Sequence, residues 1–250
     1  MNLRTCRLLA CPSLIYVTRT ILCACPLFLF HHVIAAAEEG LYQATLPALL
    51  AENTQLKPDP TELLRMADIY LDSGNDESFN KSDRLAAYEQ GAKNAKHALA
   101  LDEENAHAHY LYAANLGSAA ELKGLMVSVM TVQELKRHIK RALELNPTHA
   151  EALHMMGMML EELPWMLGGD RDGGLTYLRR SVAADPNDFS AQLDLAKVYF
   201  KRHDVEAARK QLNLLLGHPL SPNASVRDRR HWEEALHLRD SLQTPDKGLQ

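Results

Sequence analysis

Beyond residue 25 the chain has no cysteine, because Cys6, Cys11, Cys23 and Cys25 are its only four. Everything downstream is therefore without a disulfide framework, a cysteine–zinc site or a thiol nucleophile. Aromatic residues make up 6% of the 250 positions, and β-branched residues thin out after the first 40, which argues against a sheet. No HExxH pair and no Gly-x-Ser-x-Gly elbow occurs, so the signatures of zinc proteases and serine hydrolases are missing. There is no basic stripe either. Lys and Arg number 27 against 32 Asp and Glu, for a net charge of −5. Phosphate contacts dominate nucleic-acid affinity, so nucleic acid is excluded as a partner.

Acidic residues are absent from the first 37 positions, which carry Arg4, Arg7 and Arg19. The apolar run "ILCACPLFLFHHVIAAA" follows, from Ile21 to Ala37, and then Glu38 and Glu39. A basic start, an apolar core and a small-x-small end describe a secretory signal. Residues 1–37 are read as that signal, cleaved after Ala35-Ala36-Ala37, with a more compact version beginning near Val17. The mature chain is then periplasmic or secreted, with a net charge of about −8 once the three arginines are gone. An uncleaved anchor is the alternative, although Pro26, His31 and His32 interrupt a run that would need about 20 apolar residues. A lipidated cysteine in "LLAC" or "LCAC" is another, but the first has too short an apolar lead and the second is followed by more apolar residues. No membrane span is expected after cleavage.

Plentiful Ala, Leu and Met favour helix, and the rest of the chain is organised by a repeat. "KHALALDEENAHAHYLYAANLG" (96–117), "KRALELNPTHAEALHMMGMMLE" (140–161) and "RRSVAADPNDFSAQLDLAKVYF" (179–200) align. Each ends one amphipathic helix, turns at a polar stretch around Glu103, Pro147 or Pro186, and starts another. "PTELLRMADIYLDSG" (60–74) is a further copy of the opening helix. Small residues fall at equivalent places, Ala67, Ala113, Gly157 and Ala196. Large ones precede them (Met66, Tyr112, Met156, Leu195) and follow three positions on (Tyr70, Leu116, Leu160, Tyr199). Closely packed antiparallel helices require this pattern, with a small residue at the crossing and large ones on the same face.

The pattern resembles the tetratricopeptide repeat (TPR). Leu153, Met156-Gly157, Leu160, Ser181 in place of the family's Ala, and Pro186 follow its motif. Leu195-Ala196, Tyr199 and Ala208 do so again. The resemblance implies an all-α, right-handed α-solenoid of about four helix pairs over 60–217. A capping segment is expected at 38–59, and a capping helix and tail at 218–250. That last helix starts at a capping box of Ser225 and Asp228 and offers Val226, Trp232, Leu236 and Leu238 as its apolar positions. The repeats exceed the usual 34 residues, leaving the register of 74–95 and 118–135 open.

In TPR proteins the first helices line the concave face. The resemblance then places Thr61, Leu64, Asp68 and Leu71 in the groove from the first repeat. His107, Tyr110 and Ala114 come from the second, and Glu151, His154, Met158 and Glu161 from the third. Ser190, Leu193, Lys197 and Phe200 come from the fourth. Such a groove suits an amphipathic helix, an extended peptide or a lipid-like molecule.

"ELPWMLGGDRDGGL" (162–175) is neither a phosphate loop nor a calcium loop. Leu175 stands where a phosphate loop needs Lys-Ser/Thr. Counting from Asp170, Ser181 stands where a calcium loop needs glutamate. It reads as a joint. Pro164 ends a helix, Gly168 and Gly169 supply positive φ, and Asp170 or Asp172 caps the next helix. Trp165, Met166 and Leu167 are expected to fold under the turn, with an exposed apolar knob as the alternative. This joint is similar to those of the T-component proteins of TRAP-type transporters, and that resemblance implies a periplasmic protein binding a solute-binding protein and a small apolar ligand.

Catalysis finds no footing. Of the twelve histidines, those past residue 37 show no ligand spacing and read as surface residues. The adjacent pairs Glu161-Glu162 and Glu233-Glu234 point different ways and read as solvated charge. "MMGMML" (155–160) reads as core packing. The expectation is a non-enzymatic scaffold without metal or cofactor. It would bind a protein or peptide of the cell envelope in its groove, with the T-component-like carrier of a small apolar ligand as the alternative.

Overall fold

The computed structural model describes residues 59–242 other than Asn223, and only the backbone of Val226. The expected signal, the N-terminal capping segment up to residue 58 and the tail from residue 243 lie outside the described residues. All described residues belong to one compact unit, Pro58–Gln250.

Among the described residues the chain is all helix. It runs α1 Pro60–Asn75, α2 Lys81–Leu101, α3 Ala106–Lys123, α4 Leu125–Leu145 and α5 Ala150–Glu162. A 3-10 turn, Trp165–Leu167, leads to α6 Arg171–Ala184, α7 Phe189–Lys201, α8 Val205–Gly217 and α9 Val226–Ser241. None of these helices is long and apolar enough to cross a membrane. The first eight pair successively, α1 with α2 through α7 with α8. Contacts also skip one helix, from α1 to α3 and from α3 to α5, so the first helices form the inner row. The extra length of the first two repeats lies in α2 and α4, each of 21 residues against 14 in α6 and 13 in α8.

Three inter-repeat turns use one device. Asp102, Asn146 and Asp185 sit just past a helix in extended conformation. Each side chain accepts from the amide two residues on, at Glu104, Thr148 and Asn187. The residue three on, Asn105, His149 or Asp188, then caps the following helix. These side chains satisfy amides that a helix start leaves open.

The small motif residues Ala67, Ala113 and Ala196 are fully buried. At Gly157 an added Cβ would stand 2.7 Å from Leu178 Cγ, and at Gly174 2.9 Å from the Gly157 carbonyl oxygen. α5 and α6 thus cross glycine to glycine, closer than side chains allow. Ser181, the departure from the family's Ala, is fully buried and donates to the Ala150 carbonyl at 2.9 Å, tying α6 to the start of α5.

The 162–175 joint works differently from expectation in two respects. Gly168 has φ 81°, but Gly169 is needed for close approach, since a Cβ there would stand 1.8 Å from the Leu163 carbonyl oxygen. Trp165 and Met166 are not folded under: they are 83% and 75% exposed. Backbone hydrogen bonds from Leu167, Gly168 and Gly169 back to Pro164 and Trp165 hold the turn instead. Lys136 Nζ also donates to the carbonyls of Leu167 (3.2 Å) and Gly168 (2.6 Å). Asp170 is the residue that caps α6.

Candidate partner-binding groove

The inner row gathers its polar residues into two clusters. In the first, α1 supplies Asp68, α3 supplies His107 and Tyr110, and the start of α5 supplies His149 and Glu151. Asp68 and Glu151 are half exposed, and His149 is buried. His149 Nδ1 lies 3.3 Å from the Ala152 amide, which it caps. With Nδ1 accepting, Nε2–H of His149 donates to His107 Nδ1 at 3.2 Å, and Nε2–H of His107 donates to Asp68 at 3.1 Å. One proton per ring satisfies the whole chain, an assignment made from the partners. A second proton on His149 would redirect Nδ1–H to Glu151, 3.2 Å away.

Tyr110 lies tilted against both imidazoles, 5.2 Å from His149 and 5.8 Å from His107 between ring centroids. Its phenol is pushed up by burial, then by the Glu151 and Asp68 charges. His107 is raised, first by its bond to Asp68. Glu151 is lowered to about 2, first by its contact with His149 Nδ1, a hydrogen bond that forms when that nitrogen carries the second proton. The Glu151 carboxylate therefore stays charged at neutral pH.

The second cluster lies between α5, α7 and α9. His154 Nε2 meets Asp194 at 3.0 Å, and Lys197 reaches Asp194 at 3.7 Å and Glu234 at 2.8 Å. Burial acts to raise the Asp194 carboxyl, but His154 and Lys197 hold it below its ordinary range.

α9 is more than a terminal cap. Trp232, Ala235, Leu238 and Leu242 pack on Leu193, Ala196, Leu212 and Leu215 of the last repeat. Its first turns reach the opposite end of the inner row, where Arg227 meets Asp72 at 3.5 Å and Arg230 meets Glu77 at 2.9 Å. Asp72 is raised by burial, against the pull of Arg227 and with the push of Asp68. The sequence carried two signals for this. Asp72 is four residues beyond Asp68, on the same face of α1. Arg227, Arg229 and Arg230 sit in the first turns of a helix, where the macrodipole disfavours cations.

Other residues expected in the groove are not brought to it. Leu71 is buried in the core of the first two repeats. Leu193 is 1% exposed beneath α9. Glu161 is neither a groove residue nor solvated charge. Its side chain is buried and bound to Arg202 at 2.6 Å. Leu64 and Met158 are half-buried against core clusters, and Phe200 is exposed at the end of α7. The histidines are not all surface residues, since His109 and His149 are buried.

His109 belongs to an outer cavity of about 540 Å³ lined with His138, Arg137, Lys140 and Arg141. His109 Nδ1 and His138 Nδ1 are 2.9 Å apart. His138 is lowered to about 4, first by burial, then by His109 and Arg137. Its folded pKa lies below the unfolded value of about 6.5, so the folded state binds fewer protons between the two. The contribution to stability is full above about 6.5 and is lost as the pH falls toward 4. A proton NMR titration of the His138 ring should give a midpoint near 4; a midpoint at its ordinary value would contradict the burial. Among the described residues no cluster of His, Cys, Asp and Glu is arranged to hold a metal ion.

Comparison with known proteins gives this geometry a context. The tetratricopeptide-repeat family model matches residues 166–219. A thermophilic TPR protein of Thermus thermophilus superposes with a TM-score of 0.57 at 19% identity, covering 82% of this chain and 95% of that one. The fold is thereby of the TPR type. Regulator of microtubule dynamics protein 1 of Bos taurus is 27% identical over 68% of this chain and 57% of its own length. The Mus musculus protein of the same name is 25% identical over 82% of this chain and 69% of its own. The chain thus spans about six-tenths of the first of these relatives. These relatives are not T-component proteins of TRAP transporters, so the similarity of the joint to that group finds no counterpart among them. The family model described as Regulator of microtubule dynamics protein 1-3 matches residues 33–162, which is more than half of the 250 residues, and the chain belongs to that family.

Proposed function

We propose that this protein is a non-enzymatic scaffold that binds a protein segment along its inner row. By relation to its curated relatives, it would serve as an adaptor in the regulation of microtubule dynamics. The observation that carries this reading is the alignment of Asp68, Asp72, Glu151 and Asp194 along one row of helices, interleaved with Tyr110, His107 and His154. Carboxylates give register and partner choice, and the aromatic cluster gives an anchor. The face is rigid, since each carboxylate sits on a helix whose other side is core, so little ordering entropy is lost on binding. An envelope setting remains part of the proposal only through the reading of residues 1–37 as an export signal. Relation to regulators of microtubule dynamics favours the adaptor over the carrier of a small apolar ligand.

The test is affinity capture with the full chain and its Asp68→Asn/Glu151→Gln variant, both isosteric and both at half-exposed positions. Proteins recovered by the wild type should fall at least tenfold with the variant, while the thermal melt stays within a few degrees. Equal recovery by both would remove the inner row as the binding surface.

A further inference from the structure

We propose that the partner segment is a basic helix, and that Arg227–His231 of α9 is the chain's own stand-in for it, a strap across the acidic inner row that the partner displaces. The inference rests on the groove reading above and names the chemistry of what the groove takes.

α9 has two unlike halves. The second half is an anchor: Trp232, Ala235 and Leu238, with Leu242 just past its end, join the apolar cluster of the last repeat. The first half reads Arg227, Asp228, Arg229, Arg230, His231, so four of its five residues are basic. They crowd the positive end of the helix, where cations are disfavoured. Their counter-charges come from across the row: Asp72 for Arg227 and Glu77 for Arg230, about 155 residues away in sequence. The basic end and the acidic face are complementary, and the segment already seated there shows what kind of element the face accepts.

The fit is imperfect in a way that suits displacement. Both arginines are nearly half exposed, and their carboxylates more so. Exposed ion pairs are individually weak and are screened by salt. His231 Nδ1 and Trp232 Nε1 are buried with no hydrogen-bond partner among the described residues. Burial and the two arginines also lower the pKa of His231, so that ring is not a strong cation in the seat. What holds the strap is mainly its tether, since the anchored second half keeps the basic turns at high effective concentration. A separate helix that brings the same charges and meets the row more fully competes on favourable terms.

The experiment uses a helix-stapled, fluorescein-labelled peptide copying residues 225–232, three arginines against one aspartate, with the full chain titrated against it. The wild type is compared with Arg227→Gln/Arg230→Gln, which loosens the strap, and with that variant carrying Asp72→Asn/Glu77→Gln as well. The loosened chain should bind the peptide at least tenfold tighter than the wild type, and neutralising the two acids should return it to the weaker level or below. Hydrogen exchange should speed up in residues 226–231 of the loosened chain and stay unchanged in α8, which separates loss of the strap from loss of fold. Equal binding by wild type and loosened chain, abolished by the acid changes, would overturn the strap and leave the groove reading intact. Binding that ignores the acid changes would remove the groove reading with it. No binding by the loosened chain would overturn the basic-helix chemistry.

Discussion

Arg202→Met is expected to cost about 3–5 kcal/mol of stability, the usual loss when one member of a buried ion pair is removed and the other stays charged. For a repeat body of this size that is a fall of about 10 °C in melting temperature. The Glu161 carboxylate is 1% exposed, at the end of α5, and Arg202 reaches it from the α7–α8 turn at 2.6 Å. The same guanidinium also donates to the Arg171 carbonyl and pairs with the exposed Asp172. One side chain thus joins the third helix pair to the fourth. The pair is not fully satisfied: Glu161 Oε1 and Arg202 Nε are buried without partners among the described residues. Replacing both residues together, Glu161→Met with Arg202→Met, should therefore restore most of the loss, because no lone charge is left behind. A thermal-melt double-mutant cycle reads the coupling directly. A single substitution that shifts the melt by less than about 2 °C would mean that water reaches the carboxylate.

This pair also marks where sequence reasoning stops. Periodicity locates what repeats. Ala67, Ala113, Gly157 and Ala196 could be aligned because each helix crossing needs a small residue at the same register. The inter-repeat turns were legible for the same reason, as polar stretches recurring at Glu103, Pro147 and Pro186. Glu161 belongs to no repeat position that would announce burial, and its adjacency to Glu162 made the two look alike. Only the turn after α7, 40 residues on, distinguishes them, by sending Arg202 to one and Lys201 to the other. Trp165 failed in the opposite direction. An apolar triplet between two helices suggests burial, yet here Lys136 and the local backbone hold the turn, leaving its first two side chains outside. The groove was half legible. Asp68, His107, Tyr110 and Glu151 follow from counting along the first helices. The strap does not, because attraction between Arg227 and Asp72 has no period and depends on where the last helix lands.

The buried cross-link of the first two repeats offers the sharpest dependence on pH. Asn115 is fully buried, and its amide donates to the carbonyls of Ala67 (3.2 Å) and Leu111 (3.0 Å). Asn115→Asp replaces those donors with a carboxylate facing two carbonyl oxygens, and at pH 7 the loss should reach about 3–5 kcal/mol. Burial beside acceptors favours the protonated acid, so the folded-state pKa of the new group lies well above its unfolded value of about 3.9. The folded variant then binds more protons than the unfolded one across that interval. Its stability is greatest below about pH 4 and is lost as the pH rises through the folded pKa. Melts of wild type and variant should therefore lie close together in acid and separate toward neutrality. A separation that does not change with pH would show that the carboxylate had found water or a cation. A second substitution probes the same site by shape. A Cβ on Gly91 would stand 2.1 Å from Asn115 Oδ1, so Gly91→Ala must expel the amide from its seat between α1 and α3. It should destabilise by a similar route, but without the pH dependence, because no proton is involved.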